Sequence, residues 1–317
     1  MNELVLRQSQ EEDIPKILDL FKKCFGHEMT KETWLWRFRD NPAGVGFSES
    51  AWDGDKLVGQ YTGASVTLQI DGVEQKAVFG GPGMIDPDYR GLDLYSRLYE
   101  RIEDKMKKEG IVLFYSINSV PRTAHRLLIN KLGFTDIYEI PTFRLKIDKL
   151  TNCVVPCDGE DVTGVFEFDE RFDRLWDISY SLVGIKRDTK YLNWRFSKNP
   201  GTKYRTFVAR FETEISGYAV TKIYKKELQI VDILPVDDPV TGLKLVSKIV
   251  GFAKDTGLDS VSLWLNTADP LHQSLERYGF LPSEPVFYFC AKGIGYFRDA
   301  VFDYRNWNVM MSDSDIF

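Results

Sequence analysis

Trp36-Arg37-Phe38-Arg39-Asp40-Asn41-Pro42 reappears 158 positions later as Trp194-Arg195-Phe196-Ser197-Lys198-Asn199-Pro200. The same offset carries Ala51 onto Ala209 and Gly59 onto Gly217 without a gap. A second echo pairs the segment from His125 to Gly133-Phe134 with that from His272 to Gly279-Phe280, now 146 positions apart at the glycines. Most of the lost length falls in one place, because Gly59 to Pro87 spans 28 positions and Gly217 to Pro235 only 18. In the first copy that stretch holds two alternating runs around Asp71-Gly72, and Asp-Gly between alternating hydrophobics is a strong hairpin signal. The chain therefore reads as one domain present twice, the second copy trimmed at its hairpin. A length of 317 residues suits two domains of ordinary size.

Hydrophobic residues at 43% and charged residues at 28% suffice for packed cores beneath a polar surface. No apolar run approaches the roughly 18 to 20 residues that cross a bilayer. The start carries Glu3 and turns polar after Leu6, unlike a signal peptide with its basic head and apolar centre. A cytoplasmic location and no membrane partner are expected. A net charge of -6 argues against a broad nucleic-acid face. Three histidines and four cysteines (Cys24, Cys153, Cys157, Cys290) form no set with zinc spacing, so no metal site is expected.

Periodicity in the first copy predicts a strand over Leu4 to Gln8 and a helix over Glu12 to Phe25, with Ile14, Ile17, Leu18 and Phe21 at helical spacing. Thr30 is the expected N-cap of a second helix that stops before Pro42. Strands are predicted from Ser50 to Trp52 and Leu57 onward, from Val66 to Ile70, and from Val73 to Ile85. A helix from about Leu92 to Lys108 keeps Leu94, Leu98, Ile102 and Met106 on one face. A buried strand follows over Ile111 to Ile117. Pro121 suits the first turn of a helix ending at Gly133, and a last strand covers Phe143 to Ile147.

Two segments carry more than topology. Met84-Ile-Asp-Pro-Asp-Tyr-Arg90-Gly91-Leu92-Asp93-Leu94-Tyr95 runs from a strand through a loop into a helix. Phe114-Tyr-Ser-Ile-Asn118 leads into a helix that closes on Asn130-Lys131-Leu132-Gly133-Phe134. With the element order, these segments resemble the GNAT superfamily of N-acetyltransferases, and tandem GNAT proteins above all. The resemblance implies an α+β fold of two tandem GNAT-like domains, each a mixed, mostly antiparallel sheet flanked by helices. The domains would span 1–152 and 162–317, with a boundary in the polar Cys153 to Asp161 stretch. It further implies acetyl-CoA, or another acyl-CoA, held by Met84, Ile85, Arg90, Gly91, Leu92, Asp93, Leu94, Tyr95 and Asn118. The physics of such a loop is general: unpaired N–H groups at a helix start carry partial positive charge and hold a diphosphate. Gly91 lets the backbone approach, and Arg90 adds a cation. In the family, the strands on either side splay apart and the pantetheine arm pairs in the gap like an extra strand.

The chain departs from the family pattern in three places. Asp93 and Tyr95 stand where the loop usually has glycine or alanine. A carboxylate beside a diphosphate is repulsive by about 1 kcal/mol at intermediate dielectric, and Asp93 could itself cap the helix. Ile129, and Leu275 in the second copy, stand where many members have a tyrosine that protonates the leaving thiolate. His125, Tyr115 and Tyr138 are the nearby candidates for that role. The second copy's loop, Leu234 to Leu243, has two prolines, two aspartates and no arginine, a poor phosphate cradle. The repeated Trp-Arg-Phe segment reads as structural, because it recurs in the copy with the poorer loop.

The aromatic and acidic tail from Tyr296 to Phe317 has two readings, a docked or frayed segment or, as in some tandem aminoglycoside acetyltransferases that the chain resembles, a source of a catalytic carboxylate. The expected function is acyl-CoA-dependent N-acyltransfer by the first domain to the primary amine of a small metabolite or amino sugar. Two alternatives stay open: a non-catalytic binding or scaffold protein, and an aminoacyl transferase of the peptidoglycan-bridge type.

Overall fold

The computed structural model describes residues 3–119, 123–149, 161–165, 167–179, 182–295 and 299–315. The Cys153 to Asp161 boundary segment, Pro121 and the terminal Phe317 carboxylate lie outside the described residues, Asp161 itself excepted.

In chain order the first copy runs β1 (Val5–Gln8), α1 (Ile14–Phe25), α2 (Lys31–Phe38), β2 (Phe47–Asp53), β3 (Lys56–Ile70), β4 (Val73–Ile85), α3 (Leu94–Lys108), β5 (Leu113–Asn118), α4 (Thr123–Leu132) and β6 (Thr135–Lys146). The second runs β7 (Asp161–Val165), α5 (Glu170–Ile178), β8 (Val183–Ile185), α6 (Thr189–Leu192), β9 (Arg205–Phe211), β10 (Glu214–Tyr224), β11 (Glu227–Leu234), α7 (Pro239–Asp255), β12 (Ser260–Leu263), α8 (Pro270–Tyr278), β13 (Leu281–Gly293) and β14 (Trp307–Asn308). The repeated order and the mostly antiparallel sheets agree with the α+β tandem fold read from the sequence.

Neither compact unit is a continuous stretch of chain. The first comprises Met1–Leu68, Glu74–Ile137 and Phe289–Arg298; the second comprises Gln69–Val73, Tyr138–Tyr288 and Asp299–Phe317. In the first unit, β1 to β5 lie in sequence order and the C-terminal half of β13 completes the sheet beside β5. In the second, the N-terminal half of β13 lies beside β6, followed by β12, β11, β10, β9 and β7. The parallel pairs are β4 with β5 in the first unit, and β11 with β12 and β14 with β8 in the second.

Local chemistry sets the element ends. Thr30 Oγ1 accepts from the Thr33 amide at 3.1 Å and starts α2, and Gly26 at φ 76 ends α1. Asp71 and Gly72 both take positive φ (51° and 76°), as a two-residue turn between right-twisted strands requires. The equivalent turn in the second copy is Lys225-Lys226, reached by β10 of 11 residues where β3 has 15. Leu57 and Val66 belong to one strand, β3, not two. Leu94, Leu98, Ile102 and Met106 are all buried and bind α3 to the first unit's sheet together with Val58, Val78 and Phe114. Trp36 and Phe38 are buried on α2, and Asn41 donates to the Ser65 carbonyl at 2.9 Å, which fixes the exit of that helix. Among the described residues no helix is long and apolar enough to cross a membrane.

Candidate functional site

The site expected in the first copy is assembled from β4, the loop after it, the start of α3, and β5. β4 and β5 pair in parallel through Ala77–Leu113, Val78–Phe114 and Phe79–Tyr115. The ladder then ends, although β4 continues to Ile85 and β5 to Asn118. Gly80-Gly81-Pro82-Gly83 lies on β4 just beyond the last rung. Glycine inside a strand marks a close approach, and proline has no N–H to give a ladder. Beyond Phe79 and Tyr115 the two strands share no ladder.

In the loop after β4, Gly91 takes φ 89 with nothing within 4 Å of where a Cβ would stand. Asp93 sits at the N-cap position of α3 with φ 55, and its side chain makes no capping hydrogen bond. Its carboxylate instead accepts from Ser96 Oγ at 2.9 Å and lies 3.4 Å from Lys131 Nζ at the end of α4. The expectation that Asp93 could consume the helix-start amides is thus not met. The left-handed backbone swings its carboxylate away from them, and a serine and a lysine take it up. Leu94, Tyr95 and Ser96 present their first-turn amides without a cap from that side chain.

The other expected residues fall into two groups. Met84 and Leu94 are buried in hydrophobic clusters, and Ile85 packs at the edge of one of them while its carbonyl accepts from Cys24 Sγ at 3.5 Å. Arg90 and Leu92 are exposed. Burial pushes the Cys24 thiol pKa up, and nearby Arg90 acts against that shift. Tyr95 lies over Gly83, where an added Cβ would come within 2.5 Å of its ring. Burial pushes the Tyr95 phenol up to about 12, with a hydrogen bond from Tyr61 working the other way. Asn118 Nδ2 donates to Ser116 Oγ at 3.2 Å and reaches Cys290 Sγ at 4.0 Å.

Of the proton-transfer candidates, His125 is buried on α4 with Nε2 3.5 Å from Asp136 Oδ1. Tyr115 is buried with its ring 5.2 Å from Phe79 and 6.1 Å from Phe289. Tyr138 belongs to the second unit, where it stacks on Tyr304 with centroids 3.9 Å apart.

The glycine run on β4, Ser116 and Cys290 were missed by sequence reasoning. The glycines carried a usable signal, four turn-type residues inside a predicted strand. Cys290 carried none, because β13 reaches the first unit from the far end of the chain.

The second copy is built the same way and filled differently. The ladder between β11 and β12 also ends early, at Ile230–Leu263, while β11 continues to Leu234. Asp238 caps α7, accepting from the amides of Val240 (3.0 Å) and Thr241 (3.3 Å) and from Thr241 Oγ1 (2.6 Å). Asn266 follows β12 as Asn118 ends β5, and it donates to the carbonyls of Tyr304 (2.6 Å) and Trp307 (2.8 Å). The C-terminal segment therefore lies where β11 and β12 part. It is fastened by buried charge: Arg187 donates to Asp232 (3.1 Å) and Asp313 (2.8 Å). Tyr218 and Ser312 donate to Asp232, and Arg195 Nε donates to the Ser312 carbonyl at 3.1 Å. This assigns the second Trp-Arg-Phe repeat a structural task, with Arg195 holding the tail.

A sequence model of the acetyltransferase (GNAT) domain matches residues 5–127. No curated protein sequence matches the chain significantly. A probable N-acyltransferase of unknown function from Enterococcus faecalis is 16% identical with a TM-score of 0.69, covering 92% of this chain and 73% of its own. A GCN5-related N-acetyltransferase from Anabaena variabilis gives 13%, 0.70, 92% and 73% for the same measures. A tandem GNAT protein from the clavulanic acid biosynthesis pathway is 14% identical with a TM-score of 0.61, covering 93% of this chain and all of its own. The first copy thus carries a match to the acetyltransferase (GNAT) domain across residues 5–127, and the chain shares its fold with a tandem GNAT protein over nine-tenths of its length.

Proposed function

We propose that the first copy transfers an acyl group from acetyl-CoA, or another acyl-CoA, to the primary amine of a small molecule. The observation that carries this reading is the contrast between two aspartates. Asp238 consumes the start of α7, whereas Asp93 leaves the start of α3 uncapped. A diphosphate fits the latter, where amides, the open Gly91 and the Arg90 cation converge. The carboxylate expected to repel it already lies beside Lys131, which offsets much of its charge.

Acyl-CoA brings an activated thioester, and the chain's task is to hold and orient it. A strand-like arm would pair with the backbone of β4 beyond Phe79 and of β5 beyond Tyr115, where the two strands share no ladder. A thiol of pKa near 8.5 is a tolerable leaving group, so transfer proceeds without a tyrosine at position 129. We assign the proton of the departing thiolate to His125, whose ring is oriented by Asp136. The second copy, its cleft filled by the tail, serves as a partner domain with no cofactor of its own.

Calorimetric titration with CoA tests the reading. We expect a micromolar Kd for the wild type and about tenfold weaker binding for Arg90→Gln, a loss of roughly 1.4 kcal/mol. Absence of heat with CoA at millimolar concentration would sink the assignment. Binding without turnover on any amine would favour the scaffold alternative.

A further inference from the structure

The second unit contains a cavity of about 510 Å³ at the end of the β9–β10 pair, and it belongs to no part of the chemistry above. The last rung of that pair joins Arg205 to Thr221. Past it, Lys203 and Tyr204 on one side and Lys222 and Tyr224 on the other line the cavity, together with Phe252 of α7. No carboxylate is among the lining residues, while three cations are. The Arg205 guanidinium lies 4.5 Å from the Phe252 ring centroid, which holds it in place. Behind the wall, buried Arg195 donates from Nη1 to the Tyr204 hydroxyl at 3.1 Å and brings a fourth positive charge close. Burial and then Arg195 push the Lys222 ammonium down to about 8, as expected where positive charge is concentrated and partly dehydrated.

We propose that this cavity binds a small phosphorylated molecule, with the phosphate seated among Lys203, Arg205 and Lys222. A dianion matches three converging cations better than a single carboxylate does, and an arginine fork suits phosphate oxygens. The volume lies in the range of small-molecule sites and far exceeds a bare phosphate. Two tyrosines on the walls suit an unsaturated ring beside that phosphate.

The test is an NMR titration of the full chain, read at the amides of Thr221 to Tyr224, with AMP, inorganic phosphate and adenosine as separate probes. Reading at those amides separates this site from any nucleotide bound at the start of α3, so the result stands whichever way CoA binding turns out. AMP is expected to shift these amides, phosphate to do so about tenfold more weakly, and adenosine not at all. The double variant Arg205→Gln/Lys222→Gln should lose AMP binding at least tenfold. Arg205→Lys/Lys222→Arg, which keeps the charge, should retain it. An adenosine response equal to that of AMP, no response to either phosphate probe, or AMP shifts that survive in the glutamine variant would each overturn the proposal.

Discussion

Three aspartates stand at helix starts, Asp93 and Asp238 in equivalent loops and Asp269 before α8, and each does something different. Asp93 has a left-handed backbone and no capping bond, so replacing it by glycine removes backbone strain and no cap. We expect Asp93→Gly to leave thermal stability unchanged or raise it by up to about 1 kcal/mol, and to tighten CoA binding. Asp238→Ala, by contrast, should cost about 1 kcal/mol in denaturant unfolding, because two amides lose their acceptor. Asp269 precedes α8 without a capping bond, and its Oδ2 is buried with no partner among the described residues. Burial pushes its carboxyl up to about 7, with Asp237 adding to the shift and the Asn266 backbone opposing it. The native state therefore holds a proton that the unfolded chain gives up near 4. Stability should fall as pH rises from about 5 to 7, by on the order of 1 kcal/mol per pH unit, and Asp269→Asn should flatten that fall. All three aspartates were visible in the sequence. Which one caps was not, because the sign of φ at Asp93 is decided by the loop around Gly91.

At the scale of elements, the helices and hairpins were the most legible. Leu94, Leu98, Ile102 and Met106 share one buried face as their spacing predicts, and the Asp71-Gly72 turn takes the conformation that its residues favour. The parting of β4 from β5 was implied only by resemblance, since no periodicity reports where a parallel ladder stops. The Tyr95 problem also resolves at this scale. A bulky residue occupies a position usually held by glycine or alanine because the facing strand is glycine at 83. Gly83→Ala would bring a methyl within 2.5 Å of the Tyr95 ring and 3.1 Å of Tyr61. We expect a loss of about 1 to 3 kcal/mol by chemical denaturation, partly recovered in Gly83→Ala/Tyr95→Ala. Equal losses in the single and double variants would show that the two positions do not share the space.

At the scale of the whole molecule, the last segment of the chain is part of a core. Arg187 is fully buried between Asp232 and Asp313, so Asp313→Ala leaves a buried cation with one of its two carboxylate partners. A loss of about 3 to 5 kcal/mol is expected in the second unit's unfolding transition, with a correspondingly lower Tm. The terminal carboxylate lies beyond the described residues, but the segment leading to it is held by Asn266, Arg187 and Arg195. That anchorage was not legible: the tail's aromatics and acids suited a docked or frayed tail and a source of a catalytic carboxylate alike in composition, and no spacing names its partners.

The first unit also needs Phe289–Arg298. Within that segment Cys290 is buried in the first unit's core, and Lys292 donates to Glu103 at 2.5 Å. This sets the order of events during synthesis. A nascent chain normally folds its leading domain while the ribosome is still making the next. Here the leading sheet lacks the strand beside β5 until the chain past Phe289, beyond the whole β7–β12 region, has emerged. Stalled chains ending near residue 180 should therefore remain open to protease across Leu113 to Asn118, whereas released full-length chains resist. The first copy is translated before the second and completed after it.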